Sequence, residues 1–112
     1  MKGVIVKFDA PNVKINGHTF ECLLPAIELH AKIRGYMVNI ARMNAHDEDQ
    51  IRAIIAQGCD IIDDIFGAGA MARITSGQPV SLNAVLRVLN AAAEAMNEAY
   101  NEYLKSEYGG GR

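Results

Sequence analysis

Apolar and polar residues alternate through the first part of the chain and then switch to a helical period. In the stretch GVIVKFDAPNVKINGHTFECL, Asn16-Gly17 supplies the two positive-φ residues of a type I′ turn. Around that turn Ile15 faces His18 and Val13 faces Phe20, and these four share one side of the ribbon. Lys14, Thr19 and Glu21 fall on the other side, so one face is suited to burial and one to water. The pattern predicts a β-hairpin within residues 4–23, with a further strand preceding it. A lone hairpin is marginal in water, so it must lie on helices.

Pro25 fits the first turn of a helix running over about 25–43. At ~100° per residue, Leu29, Ile33, Tyr36, Met37 and Ile40 form one apolar stripe, and Ile27, Ala31 and Val38 form a second beyond His30 and Arg34. Two stripes imply burial on two sides. The helix is then either central in the monomer or shared with a neighbour, and Ile27, Ala31 and Val38 become candidates for a protein contact.

Asp47 with Gln50 is a capping pair for a second helix, about 47–66. Its projection places Ile51, Ile54, Ile55, Gly58, Cys59, Ile61, Ile62, Ile65 and Phe66 in one arc of roughly 160°. Arg52, Gln57, Asp60, Asp63 and Asp64 occupy the complement, which makes the three aspartates the wet side of an amphipathic helix. Gly67 and Gly69 end that helix, and a short helix is expected near 70–75 before the turn SGQP.

Ser81 caps the last predicted helix, about 82–107. Leu82, Val85, Leu86, Leu89, Ala93, Met96, Tyr100, Tyr103 and Leu104 make its apolar face; Arg87, Asn90, Glu94, Asn97, Glu98, Asn101 and Glu102 make the polar one. Gly109 to Arg112 reads as a flexible tail. The expected fold is therefore mainly α with an N-terminal β-hairpin (α+β), one domain over residues 1–108.

Composition narrows the function classes. Although 50% of the 112 residues are hydrophobic, no run approaches the ~20 apolar residues of a membrane helix. Lys7 and Asp9 interrupt what would be the apolar region of a signal peptide. Cys22 and Cys59 each sit in an apolar pattern, as core thiols of a reduced cytoplasmic chain would; a disulfide is the competing reading. The net charge of −2 gives no electrostatic reason to expect nucleic acid. Its distribution is uneven: residues 1–44 carry six Lys and Arg against three acids, residues 45–112 five against ten. Mutual neutralisation of the two halves explains this, and so does head-to-tail association or an acidic docking face.

No chemical motif emerges. Asp60, Asp63 and Asp64 have neither the alternating oxygen ligands nor the loop glycine of a calcium site. His18, His30 and His46 lie on three different elements and the cysteines have no paired spacing, so no metal or cofactor is expected. The glycines at 67 and 69 follow a helix and three aspartates, unlike a phosphate loop. Neither cysteine has a visible activating partner, and a helix-turn-helix reading is weakened because the last helix would present glutamates and asparagines to DNA. Glu94, Glu98 and Glu102, spaced every four residues, form a like-charge ladder. A solvated face accounts for it; a basic protein partner is the functional alternative.

The ribbon I-N-G-H-T-F-E, the middle stretch I-I-D-D-I-F-G-A-G-A and the terminal V-S-L-N-A-V-L-R-V-L-N-A-A-A-E-A-M-N-E-A-Y together resemble the small tail assembly chaperones of siphophages and prophages of Gram-positive bacteria. The resemblance covers most of the chain in element order, and its motifs are structural rather than catalytic. Ala70 to Ala72 depart from it, since more polar residues are expected there. The resemblance implies a non-enzymatic helper in the host bacterial cytoplasm that binds the tape measure protein until tail subunits assemble around it. It also implies a homo-oligomer, because many copies are needed to coat a long helical partner. The alternative from another class is a small regulatory nucleic-acid-binding protein.

Overall fold

The computed structural model describes the backbone of residues 11–104 and the side chains of residues 11–99 and 101. The strand expected before the hairpin, the helix end at 105–107 and the tail at 109–112 lie outside the described residues. Within them, the chain runs β1 (Asn12–Ile15), β2 (His18–Glu21), α1 (Ala26–Arg42), α2 (Glu48–Phe66), α3 (Ala70–Thr75) and α4 (Leu82–Leu104). The architecture is mainly helical with an N-terminal antiparallel hairpin, as the patterning predicts.

The hairpin register is the one the turn dictates, with Val13 opposite Phe20 and Ile15 opposite His18. Asn16 at φ 50° and Gly17 at φ 82° provide the two left-handed residues. Val13 and Phe20 are buried, whereas Lys14, Thr19 and Glu21 are exposed. The ribbon lies across α3 and α4. Phe20 packs on Phe66 with ring centroids 5.5 Å apart, and the Arg73 guanidinium sits 5.0 Å above the Phe20 ring. At the turn, the Asn16 amide donates to the Ile74 carbonyl at 2.9 Å. The long-range bond from Leu23 N–H to the Ile65 carbonyl ties the exit of the hairpin to the end of α2.

The central helix is α2, which packs against α1, α3 and α4. Burial of Ile54, Gly58, Ile61, Ile62, Ile65 and Phe66 follows the predicted arc. The start of α2 is held by Asp47, whose Oδ1 accepts from the N–H groups of Asp49 and Gln50. The Gln50 amide donates to Asp47 Oδ2 at 3.2 Å, and its oxygen accepts from Asn44 N–H at 2.8 Å instead of closing on the cap residue itself. Ser81 Oγ accepts from Ala84 N–H at 3.1 Å and caps α4.

Tightest contact occurs at Gly58, where three helices meet. A Cβ at this position would fall on Val85 of α4 and within 2.5 Å of the Tyr36 hydroxyl of α1. Only a residue without a side chain lets the helices approach this closely. Tyr36 is completely buried, and its hydroxyl donates to the Ile54 carbonyl at 2.7 Å, so the phenol enters the core with its polar end satisfied.

Two expectations about helices need correction. Pro25 is the N-cap of α1, with φ −60° and ψ 155°, rather than a residue of its first turn. On α4, Val88 and Ala92 are buried along with Val85, Leu89 and Met96, so the core-facing stripe is wider than the face read from the sequence. The hairpin meets this helix beside α2 and widens the sector that is covered.

Candidate protein-interaction surface

Among the described residues, helix α1 lies against α2 and α4 on the side of Leu29 and Tyr36. Leu29 and Tyr36 are fully buried, and Ile33, Ile40 and Met43 are half-buried around them. Polar contacts brace the edge toward α2: the Asn39 amide donates to Gln57 Oε1 at 3.1 Å, and Lys32 Nζ lies 3.5 Å from Asp64. Glu28 in the first turn and Arg42 in the last oppose the helix dipole favourably.

Among the described residues, nothing covers the second stripe. Ile27 is 84% exposed, Val38 48% exposed, and Ala31 is exposed between them. Met37, which the periodicity assigns to the core stripe, is 46% exposed, because α2 and α4 cover only the sector centred on Leu29 and Tyr36. With Leu23 at 57%, these are the exposed large apolar side chains among the described residues. All lie on α1 or on the segment leading into it. Such a concentration on one element, unlike scattered exposure, makes this face the candidate for a protein contact. The α1 helix is therefore peripheral, and its doubly apolar projection reflects one core face and one open face.

Glu94 and Glu98 are exposed on α4, away from the stripe that faces the core, and the Asn90 amide donates to Glu94 at 3.3 Å. Among the described residues neither glutamate has a cationic partner. The Glu102 side chain lies outside the described residues. The candidate residues thus fall into two groups on two helices: Ile27, Ala31 and Val38 on α1, and the glutamates on α4.

Asp63 has a role that the amphipathic reading missed. Its Oδ2 accepts from Gly69 N–H at 3.2 Å and its Oδ1 from Met71 N–H at 3.0 Å, so a residue near the end of α2 caps the start of α3. Gly67 at φ 109° and Gly69 at φ 81° turn the chain back so that these N–H groups reach the carboxylate. Asp60 is exposed and Asp64 pairs with Lys32, as solvated residues do. Of the three aspartates, only Asp63 departs from the wet-face assignment.

The two thiols and the buried phenol hold their protons. Burial, and then the charge of Glu21, push the Cys22 thiol up to about 11, and burial followed by Cys59 pushes the Tyr36 phenol up to about 12. Cys59 is also raised, by burial first and by Asp63 and Asp60 after it. Both cysteines are free. Protonated thiols are weak nucleophiles and weak metal ligands. Among the described residues, no group of three or more His, Cys, Asp or Glu is placed to hold a metal ion, and no helix is long and apolar enough to cross a membrane. A cleft of about 330 Å³ between the hairpin, α3 and α4 is lined by Ile15, Ile74, Ala84 and Val88 with Asn16 and Arg87. Among the described residues its lining carries no carboxylate, thiol or imidazole. Comparisons of the chain with protein-family models, curated proteins and solved structures find no match.

Proposed function

We propose that this protein is a non-enzymatic tail assembly chaperone of a siphophage or prophage, working in the host bacterial cytoplasm, which binds the tape measure protein and keeps it soluble until tail subunits assemble around it. The observation that supports this reading is the uncovered apolar stripe of α1, with Ile27, Ala31 and Val38 along one side of a well-anchored helix. A long helical client presents apolar positions at helical spacing, and an apolar helix face receives them by side-to-side packing. Each contact is small, so retention comes from many copies along one client. The exposed Glu94 and Glu98 on α4 offer a second, acidic face to a basic protein partner. No cofactor enters this function.

Co-expression with a coiled-coil tape measure protein tests the proposal. The parent chain should hold the client in the soluble fraction and co-purify with it, whereas Ile27→Glu and Val38→Glu should lose the client with far-UV helicity unchanged. Failure of the parent to retain the client, with salt-sensitive binding to nucleic acid instead, would replace this function with the regulatory one.

A further inference from the structure

Gly35 lies in the middle of α1, yet the described fold gives no reason for a glycine there. Its φ is not positive, it is exposed, and a Cβ built on it would meet nothing within 4 Å. A mid-helix glycine lowers helix stability relative to alanine. At Gly58 that cost is offset by close helix contact within the chain; at Gly35 the described residues supply no such contact. A recess of about 440 Å³ opens at this point, with Gly35, Val38 and Asn39 on one wall and Gln57 and Ile61 on the other.

Charge is arranged symmetrically about this glycine. Glu28 precedes it by seven residues and Arg42 follows it by seven. At ~100° per residue each projects within ~20° of Gly35, on opposite sides, while Ala31, Val38 and Ile27 lie ~40°, ~60° and ~80° to one side. Among the described residues neither Glu28 nor Arg42 is in an ion pair. The apolar stripe also has no apolar counterpart elsewhere: among the described residues, the large exposed apolar side chains are Leu23, Ile27, Met37 and Val38.

A surface whose own reverse is its best complement pairs isologously. We propose that α1 packs antiparallel against α1 of a second copy across a two-fold axis at Gly35, with Glu28 of each copy opposite Arg42 of the other. The two apolar stripes then meet on the same side of the pair. Glycine at the crossing lets the helix backbones approach, and the two charge pairs set the direction. Antiparallel alignment also opposes the helix dipoles. The parallel alternative would place Glu28 against Glu28 and Arg42 against Arg42, which disfavours it. The pairing does not depend on the tape measure reading, because it is a property of the purified protein alone. It does imply that client and second copy compete for one face.

Sedimentation equilibrium on the full chain tests the pairing. The parent should sediment at twice the monomer mass. Glu28→Arg and Arg42→Glu should each raise the dimer dissociation constant by about tenfold, since by symmetry each loses two pairs and creates two like-charge contacts. The combined reversal should return it to within about threefold of the parent. Gly35→Leu, which favours the isolated helix, should give a monomer with undiminished far-UV helicity. A parent that is monomeric at all concentrations would overturn the proposal. So would a double reversal no better than the single ones, or a dimer indifferent to Gly35→Leu.

Discussion

Substituting Gly58 by alanine adds one methyl group at the point where α1, α2 and α4 converge. Built on the existing backbone, that Cβ lands on Val85 and lies 2.5 Å from the Tyr36 hydroxyl oxygen and 2.9 Å from its ring carbon. Neither neighbour is a free end: Val85 and Tyr36 are completely buried, and the phenol is held by its 2.7 Å bond to the Ile54 carbonyl. Overpacking of this kind costs about 1–3 kcal/mol. Displacing the hydroxyl from its acceptor without access to water adds about 1–3 kcal/mol. Alanine recovers about 1 kcal/mol through its helix propensity. The net expectation is destabilisation by about 1–5 kcal/mol, and at the middle of that range, about 3 kcal/mol, a fall in Tm of roughly 10–20 °C for a chain of this size. Thermal unfolding followed by circular dichroism at fixed protein concentration measures it. Adding Tyr36→Phe removes the hydroxyl that the methyl group strikes, so the double variant should lose less than the sum of the two singles. An unchanged or higher Tm for Gly58→Ala would refute the close three-helix junction, because propensity alone would then govern the site.

Asp63→Ala should cost about 1–2 kcal/mol through loss of the α3 cap, whereas Asp60→Asn should stay within about 0.5 kcal/mol; urea unfolding separates the two. Gly17→Val should cost on the order of 1 kcal/mol or more, because φ 82° is strained for a β-branched residue, and an unchanged urea midpoint would contradict the turn. The Cys22 thiol is raised from 9.0 to about 11 and the Tyr36 phenol from 10.0 to about 12. Both groups stay protonated in the folded chain at a pH where the unfolded chain has lost the proton. Their contribution is fully present below pH ~9 and is lost as pH rises toward ~12. The Tm should therefore be flat between neutral pH and ~8.5 and fall above pH ~9, and Cys22→Ser should flatten the first part of that fall.

Local features were legible in the sequence. Asn16-Gly17 encodes its own turn and, through the period of two, the entire pairing from Asn12–Glu21 to Ile15–His18. Asp47, Gln50 and Ser81 mark helix starts because a cap acts within three residues. The isoleucine arc of α2 is so complete that its burial needs no knowledge of neighbours. Periodicity could not decide what depends on the arrangement of whole elements. It showed two stripes on α1, but only packing on α2 and α4 made Leu29 and Tyr36 core and left Ile27, Val38 and Met37 open. It assigned Asp63 to solvent because the N–H groups it caps belong to the next helix, brought back by the turn at Gly67 and Gly69. It placed Gly58 in the apolar arc without revealing that Tyr36 and Val85 close over it, and it narrowed α4 by omitting Val88 and Ala92. Turns, caps and helix faces are set by residues within one turn of each other, whereas which of two equivalent faces is buried depends on partners far away in the chain.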